Sequence, residues 1–327
     1  MTAHVMHGSF PAMSTSVALI GVGVTASAMA DATERARQLA EAWEQRFSRF
    51  RPESLLCRLN AAGGQALPVD VTFCALLARA VQAVRETGGR FDPSVLPVLE
   101  ALGYDRSIDQ VRAAPAEPRH VPAAPESSGA GAWARVRIDY GAGVVALPPG
   151  MRIDLGGIAK GAFVDLLAAE FSHWPGGSVD AGGDVVVWGN APDGQAWRIG
   201  IEAPGALAQD ALVIDVPSGS RAGVATSGTH RRRWQAGGVE VHHLIDPHTR
   251  RPATSALHSV TALAESAMAA EVAAKAVLLA AATPPITDLF GASAAALMAA
   301  DGHVELLQQP RGTDHGIDHL TEAGRAA

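Results

Sequence analysis

From residue 134 onward the chain is a series of short β-forming runs separated by glycine turns, and this punctuation constrains the fold more than any other feature. Residues 135–139 and 144–148 flank Tyr140-Gly141-Ala142-Gly143. Residues 185–189 and 197–202 flank a turn containing Gly194, and residues 231–234 and 239–245 flank Gly237-Gly238. Each pair reads as a β-hairpin, because glycine supplies the positive φ that tight turns demand. Residues 295–307 read as a fourth hairpin, turning at Asp301-Gly302.

Helical periodicity falls elsewhere. Residues 16–24 read as a strand; in 31–47, Ala36, Leu39, Ala40, Trp43 and Phe47 recur at helical spacing. The pattern returns over 71–87, through Leu76, Leu77, Ala80, Val81 and Val84, and stops at Gly88-Gly89. Residues 158–171 and 266–281 are two further helices. Strand runs mixed with separate helices imply an α+β fold, not a strictly alternating doubly wound sheet. Residues 113–132 are rich in Pro, Ala, Ser and Gly and read as an exposed connection, a point where the fold can divide into subdomains, or as a disordered loop; 308–327 read as a flexible tail.

Composition narrows the function classes. With 48% hydrophobic and 18% charged residues the 327-residue chain has the balance of a folded protein. Its formal charge of −7 offers no basic field for nucleic acid. Two cysteines, Cys57 and Cys74, support neither a disulfide framework nor a four-ligand zinc site and suit a cytoplasmic location. Residues 16–30 end in Ala-Met-Ala, like a signal-peptidase site. No Lys or Arg precedes them, however, so a first strand of the mature fold is expected there. No run reaches the roughly 18 apolar residues of a membrane span, and no cysteine near the start offers a lipid attachment point, so no membrane anchor is expected. Of the 26 basic residues only Lys160 and Lys275 are lysine. A lysine kept against such a bias suits a place that needs a compact ammonium.

Four segments carry possible chemistry. Residues 153–165 place Asp154, Gly156-Gly157, Lys160 and Asp165 on a strand-to-helix turn, where backbone amides, a helix N-terminus and an ammonium suit phosphate. The segment is neither a Walker A loop nor a Rossmann fingerprint. In residues 242–249, His243 and Asp246 stand three apart, and a carboxylate that orients an imidazole makes a general base; a zinc reading of the three histidines lacks a nearby further ligand. Thr226, Ser227 and Gly228 lie in a small hydroxyl-rich turn after a strand, suited to an anion or carbonyl or serving as a plain turn. Glu271 and Lys275 are spaced i, i+4 on an Ala-rich helix, and the bland account is a surface ion pair.

These segments, in this order and together with residues 11–23, 47–60 and 88–99 upstream, resemble the ApbE family of FAD:protein FMN transferases over about residues 11–307. The resemblance implies one α+β catalytic unit with its flavin site between two subdomains. Such a unit binds FAD as substrate, cleaves its pyrophosphate with a divalent metal such as Mg2+, and joins FMN to Thr or Ser of a target flavoprotein. An FAD pyrophosphatase and a non-catalytic FAD-binding protein are the alternatives. By position, Met13, Phe50, Arg90, Phe91, Asp92, Asp154, Lys160, Asp165, Thr226, Ser227, Gly228 and Ile245 match cofactor contacts. His243, steadied by Asp246, matches the catalytic base, and the Gly157 carbonyl and Glu271 match metal ligands.

The chain departs from the family pattern in three places. Ser14 replaces the glycine of a Met-Gly-Thr motif, and Arg250 replaces a glycine after Thr249. In the helix motif Ala-Asp-Ala-x-x-Thr, Glu271 replaces the aspartate and Lys275 the threonine that binds metal. An ammonium cannot coordinate a cation, so Lys275 is expected to act on the pyrophosphate itself, with Lys160.

Overall fold

The structure is a computed structural model and describes residues 4–113, 130–205, 210–280, 290–308 and 320–322. Strands β1 (Val5–Ala12) and β2 (Thr15–Val22) form a hairpin through Met13 and Ser14, which both have positive φ, 51° and 56°. Helix α1 (Ala26–Phe47) follows, its first turn capped by Thr25 and one face burying Met29, Ala36, Ala40, Trp43 and Phe47. Residues 16–30 therefore span a core strand and the start of a helix. Next come α2 (Leu55–Ala61), β3 (Leu67–Pro68), α3 (Val71–Glu86, capped by Asp70), α4 (Leu96–Ala101), α5 (Ile108–Ala113) and α6 (Ala130–Trp133). Of the connection expected at 113–132, residues 114–129 lie outside the described residues.

The second half runs through β4 (Arg137–Asp139), β5 (Val144–Ala146), α7 (Ala159–Glu170), β6 (Gly176–Ala181), β7 (Asp184–Gly189), β8 (Ala196–Glu202), β9 (Asp210–Pro217) and β10 (Arg221–Gly228). It continues with β11 (Arg233–Ala236), β12 (Val239–His242), β13 (Ile245–Asp246), β14 (Arg251–Pro252) and β15 (Leu257–Ala264). The last elements are α8 (Ala267–Leu278), β16 (Ala292–Ala299), β17 (Val304–Gln308) and β18 (Leu320–Glu322). The strand β18, which pairs with β9, lies within the tail expected from 308; residues 309–319 and 323–327 lie outside the described residues.

The result is a mixed α/β fold of three layers. An eight-stranded antiparallel sheet, ordered β1-β2-β6-β7-β10-β15-β16-β17, forms the middle. One face, through Val179, Val186, Ala225 and Val260, packs in the same core as α1, α7 and α8. The other, through Val187, Val224 and Leu263, packs on Trp197, Ile201, Leu212 and Ile214 of the three-stranded sheet β18-β9-β8. A third cluster joins Val98, Leu102 and Tyr104 to Trp234, Val241 and Ile245.

Two local expectations are corrected. The runs at 185–189 and 197–202 are strands but not a hairpin: β7 pairs with β6 and β10, and β8 with β9. The reason is visible in their burial, since β7 is apolar on both faces, as a central strand must be, whereas β8 alternates between buried Trp197 and Ile201 and exposed Arg198 and Glu202. Thr226, Ser227 and Gly228 belong to strand β10, not to a turn after it. Thr226 faces Thr261 across the pair, with their hydroxyls 2.8 Å apart, a cross-strand contact that suits β-branched residues.

Candidate active site

Helices α7 and α8 cap one another. Asp165 on α7 accepts hydrogen bonds from the first-turn amides of Ala267 and Met268 on α8, at 2.9 and 3.0 Å. In return Glu271 Oε2 on α8 accepts the Gly161 amide of α7 at 2.9 Å. Each carboxylate thus meets amides that a helix start leaves without an intrahelical acceptor. Glycine is required at 161, because a Cβ there would lie 2.7 Å from the Ala267 carbonyl oxygen.

The helix pair places three charges, Lys160, Glu271 and Lys275, in the lining of a cavity of about 1060 Å³, and Asp184 of β7 adds a fourth. Lys275 Nζ donates to Glu271 Oε1 at 3.0 Å, with side-chain exposures of 17% and 3%, so this is a buried pair and not the surface pair that its spacing alone suggests. Lys160 forms an ion pair with Asp184, which is 2% exposed. Burial and the charge of Glu271 push the Asp184 carboxyl up to about 6 against the pull of both lysines. Burial also raises Glu271, but Lys275, Lys160 and the Gly161 amide outweigh it and leave that group below its usual range.

A further part of the lining comes from the segment after β12. His242 is spent on the backbone, its Nε2 3.0 Å from the Ala253 carbonyl and its Nδ1 accepting the Leu244 amide at 3.3 Å. His243 lines the cavity, and its Nδ1 is buried with no hydrogen-bond partner. Burial, then the positive charges of Arg232 and Lys275, hold its imidazole well below the ordinary range, so the ring is neutral at pH 7. Asp246 does not steady it. That carboxylate accepts from the His248 amide at 2.8 Å and the Thr249 hydroxyl at 3.0 Å, and so closes its own turn.

The cavity brings together Met13, Phe50, Arg90, Phe91, Asp92, Asp154, Gly157, Lys160, Thr226, Ser227, Gly228, His243, Ile245, Glu271 and Lys275. Asp165 and Asp246 lie outside its lining: the first is committed to capping α8, the second to its loop. Several members hold each other in place. Asp154 accepts from Gly156 N at 2.8 Å and from Arg49 Nε at 3.0 Å. Asp92 Oδ1 accepts from Trp133 Nε1 at 2.7 Å and from Ser94. Arg49 lies over the rings of Phe50 and Tyr104, 4.2 and 4.3 Å from their centroids.

Sequence reading missed Asp184, Arg49, Tyr104 and the β8 wall from Trp197 to Glu202. Asp184 had a signal, an acid opening an apolar run straight after Gly182-Gly183; the others become neighbours of the site only through tertiary packing.

Residues 157, 271 and 275 do not fit a magnesium ion. Mg2+ asks for near-octahedral oxygen ligands, whereas both Glu271 oxygens already accept hydrogen bonds and Lys275 brings an ammonium into their midst. Among the described residues no group of three His, Cys, Asp or Glu side chains is arranged to hold a metal ion. No helix among them is long and apolar enough to cross a membrane.

The mixed α/β fold is that of the ApbE-like proteins: the solved ApbE protein of Thermotoga maritima superimposes with a TM-score of 0.76 at 25% identity, covering 93% of this chain and 97% of that one. The ApbE family model matches residues 13–285, and the chain belongs to that family. It is 31% identical over 261 residues to the FAD:protein FMN transferase of Treponema pallidum, spanning 75% of this chain and 70% of that protein. It is 30% identical over 244 residues to the enzyme of the same name from Vibrio cholerae, spanning 73% and 70%.

Proposed function

We propose that this protein cleaves the pyrophosphate of FAD, joins FMN through a phosphoester to a Thr or Ser hydroxyl of a target flavoprotein, and releases AMP. Family membership supports the general activity, and one observation supports the chemistry. A neutral, half-buried imidazole whose Nδ1 is buried without a partner, that of His243, lines the same cavity as the chain's two lysines.

The acceptor hydroxyl attacks the FMN-side phosphorus of FAD. An oxygen–phosphorus bond forms as the bond to the AMP oxygen breaks, and the hydroxyl proton passes to His243. Its ring needs no prior deprotonation at pH 7, and the incoming phosphate, by adding negative charge nearby, raises its basicity. Lys160 and Lys275 answer the charge on the transferring group, the main catalytic task in phosphoryl transfer. Met13, Phe50, Phe91 and Ile245 are proposed to contact the flavin, with Arg90, Asp92, Asp154, Thr226, Ser227 and Gly228 completing the lining. A reducing, cytoplasmic setting is part of the proposal, on the strength of the free thiols Cys57 and Cys74.

The test is to incubate the protein with FAD and an acceptor bearing a flavinylation-type Ser or Thr site and to resolve the products by mass spectrometry. An FMN adduct on the acceptor together with AMP is expected. His243→Ala lowers the transfer rate by about 10²- to 10⁴-fold and leaves the Kd for FAD unchanged. Free FMN and AMP without adduct identify a pyrophosphatase instead, and FAD returned intact identifies a binding protein.

A further inference from the structure

We infer that this chain holds the FAD pyrophosphate with the Lys275 ammonium standing where a divalent cation would otherwise sit, so that FAD binding requires no metal. The inference rests on the reading of FAD as substrate and deepens it. Its ground is the place the Lys275 side chain takes. The stem runs against Gly157, where an added Cβ would lie 3.2 Å from both Lys275 Cε and Phe91 Cε2. The ammonium ends 3.0 Å from Glu271 Oε1 and 3.5 Å from the Glu271 carbonyl oxygen. Gly157, Glu271 and residue 275 are thus gathered at one point of the cavity, and a positive charge is already there.

Three consequences follow from ordinary electrostatics. A divalent ion entering between Gly157 and Glu271 would face the ammonium at contact range and find one Glu271 oxygen held by the Gly161 amide. A carboxylate with both oxygens engaged and a neighbour that is only a donor is a poor hard-cation site. An anion, by contrast, meets two donors: Lys275 and Lys160 both line the cavity, and each can turn from its carboxylate partner toward a phosphate oxygen.

The experiment uses the full chain freed of metal by chelation. FAD binding is followed by quenching of flavin fluorescence with EDTA and then with excess Mg2+, and Mn2+ binding is followed by electron paramagnetic resonance, with and without FAD. The expected result is one FAD affinity in both buffers and no stoichiometric Mn2+ site. Lys275→Thr, checked for folding by its melting curve, weakens FAD binding about tenfold or more in EDTA and recovers part of it with Mg2+. Loss of FAD binding in EDTA by the unaltered chain, or one equivalent of bound Mn2+, would overturn the inference while leaving FAD as the substrate. Failure to bind FAD in either buffer would overturn the substrate reading and the inference together. FAD binding without metal and without transfer to any acceptor supports the inference and counts against the transferase reading alone.

Discussion

On the α7–α8 side of the cavity each buried charge is answered: Lys160 by Asp184, Lys275 by Glu271, Glu271 again by the Gly161 amide, Asp165 by two amides of α8. Elsewhere around the cavity several buried polar atoms lack partners. His243 Nδ1 and Arg49 Nη2, both in lining residues, are buried without partners, as are Nε and Nη2 of Arg250 just beyond the lining. A buried polar group without a partner costs about 1–3 kcal/mol. The closed side therefore contributes to holding the fold, whereas the unpartnered nitrogens on the open side cost stability. Substitutions on the two sides should accordingly fail in different currencies, stability on one and turnover on the other.

The largest stability effect is expected at Glu271. Glu271→Ala strips Lys275 of its partner in a buried site and leaves the Gly161 amide unsatisfied, so unfolding in urea should show a loss of about 3–5 kcal/mol. His243→Ala, which removes a group with no partner to lose, should stay within about 1 kcal/mol of the unaltered chain in the same assay. Equal losses in the two variants would erase the distinction between the sides.

A smaller effect tests the charge balance of the closed side. Below its raised value of about 6, Asp184 takes up a proton, Lys160 loses its counter-charge, and the cavity base gains positive charge. FAD affinity should therefore rise as pH falls through about 6, by about tenfold if the bound phosphate raises the Asp184 value by one further unit. For stability, the folded state holds this proton at a higher pH than the unfolded chain does. The contribution of Asp184 is thus fully present below the ordinary value of 3.8 and is lost as pH rises to about 6. Titrations of FAD binding against pH with Asp184→Asn check both the window and the assignment, since the variant's curve should be flat there.

The sequence disclosed those parts of this arrangement that depend on neighbours along the chain. The amphipathic faces of α1 and α3, the helix starts at α7 and α8 and the turns at Gly237-Gly238 and Asp301-Gly302 are local patterns and were readable. Motif order singled out fifteen candidate residues that the fold gathers around one cavity. What stayed hidden depends on partners remote in sequence. The 3.6-residue period gives no sign that Asp165 turns to α8, 102 residues on, or that Glu271 turns back to α7. Asp246 stood close enough to His243 to suggest a pair, but its nearer donors, the His248 amide and Thr249 hydroxyl, took both oxygens. The pairing of β7 turned on which strands flank it in space, and a turn between β7 and β8 says nothing of that.

The smallest effect concerns backbone strain and leaves the charges of both sides untouched. Ser14 sits at φ 56° in the two-residue turn between β1 and β2, after Met13 at φ 51°, a conformation that favours glycine in the second position. The turn is held there by register, Ala12 facing Thr15, and by the Met13 amide donating to Glu44 Oε1 at 2.9 Å. The chain therefore keeps the geometry of a glycine turn without the glycine, at a cost that the hairpin's pairing offsets. Ser14→Gly should remove the steric penalty of the left-handed conformation, though the freer unfolded chain returns part of the gain. The net expectation is a stabilisation of up to about 1 kcal/mol, read as a Tm higher by about 2 °C. Because Met13 and Ser14 also line the cavity, the same variant reports whether that strain matters to the ligand. An unchanged FAD affinity beside the higher Tm would assign it to the hairpin alone, and a weakened affinity would make the turn's rigidity part of the flavin site.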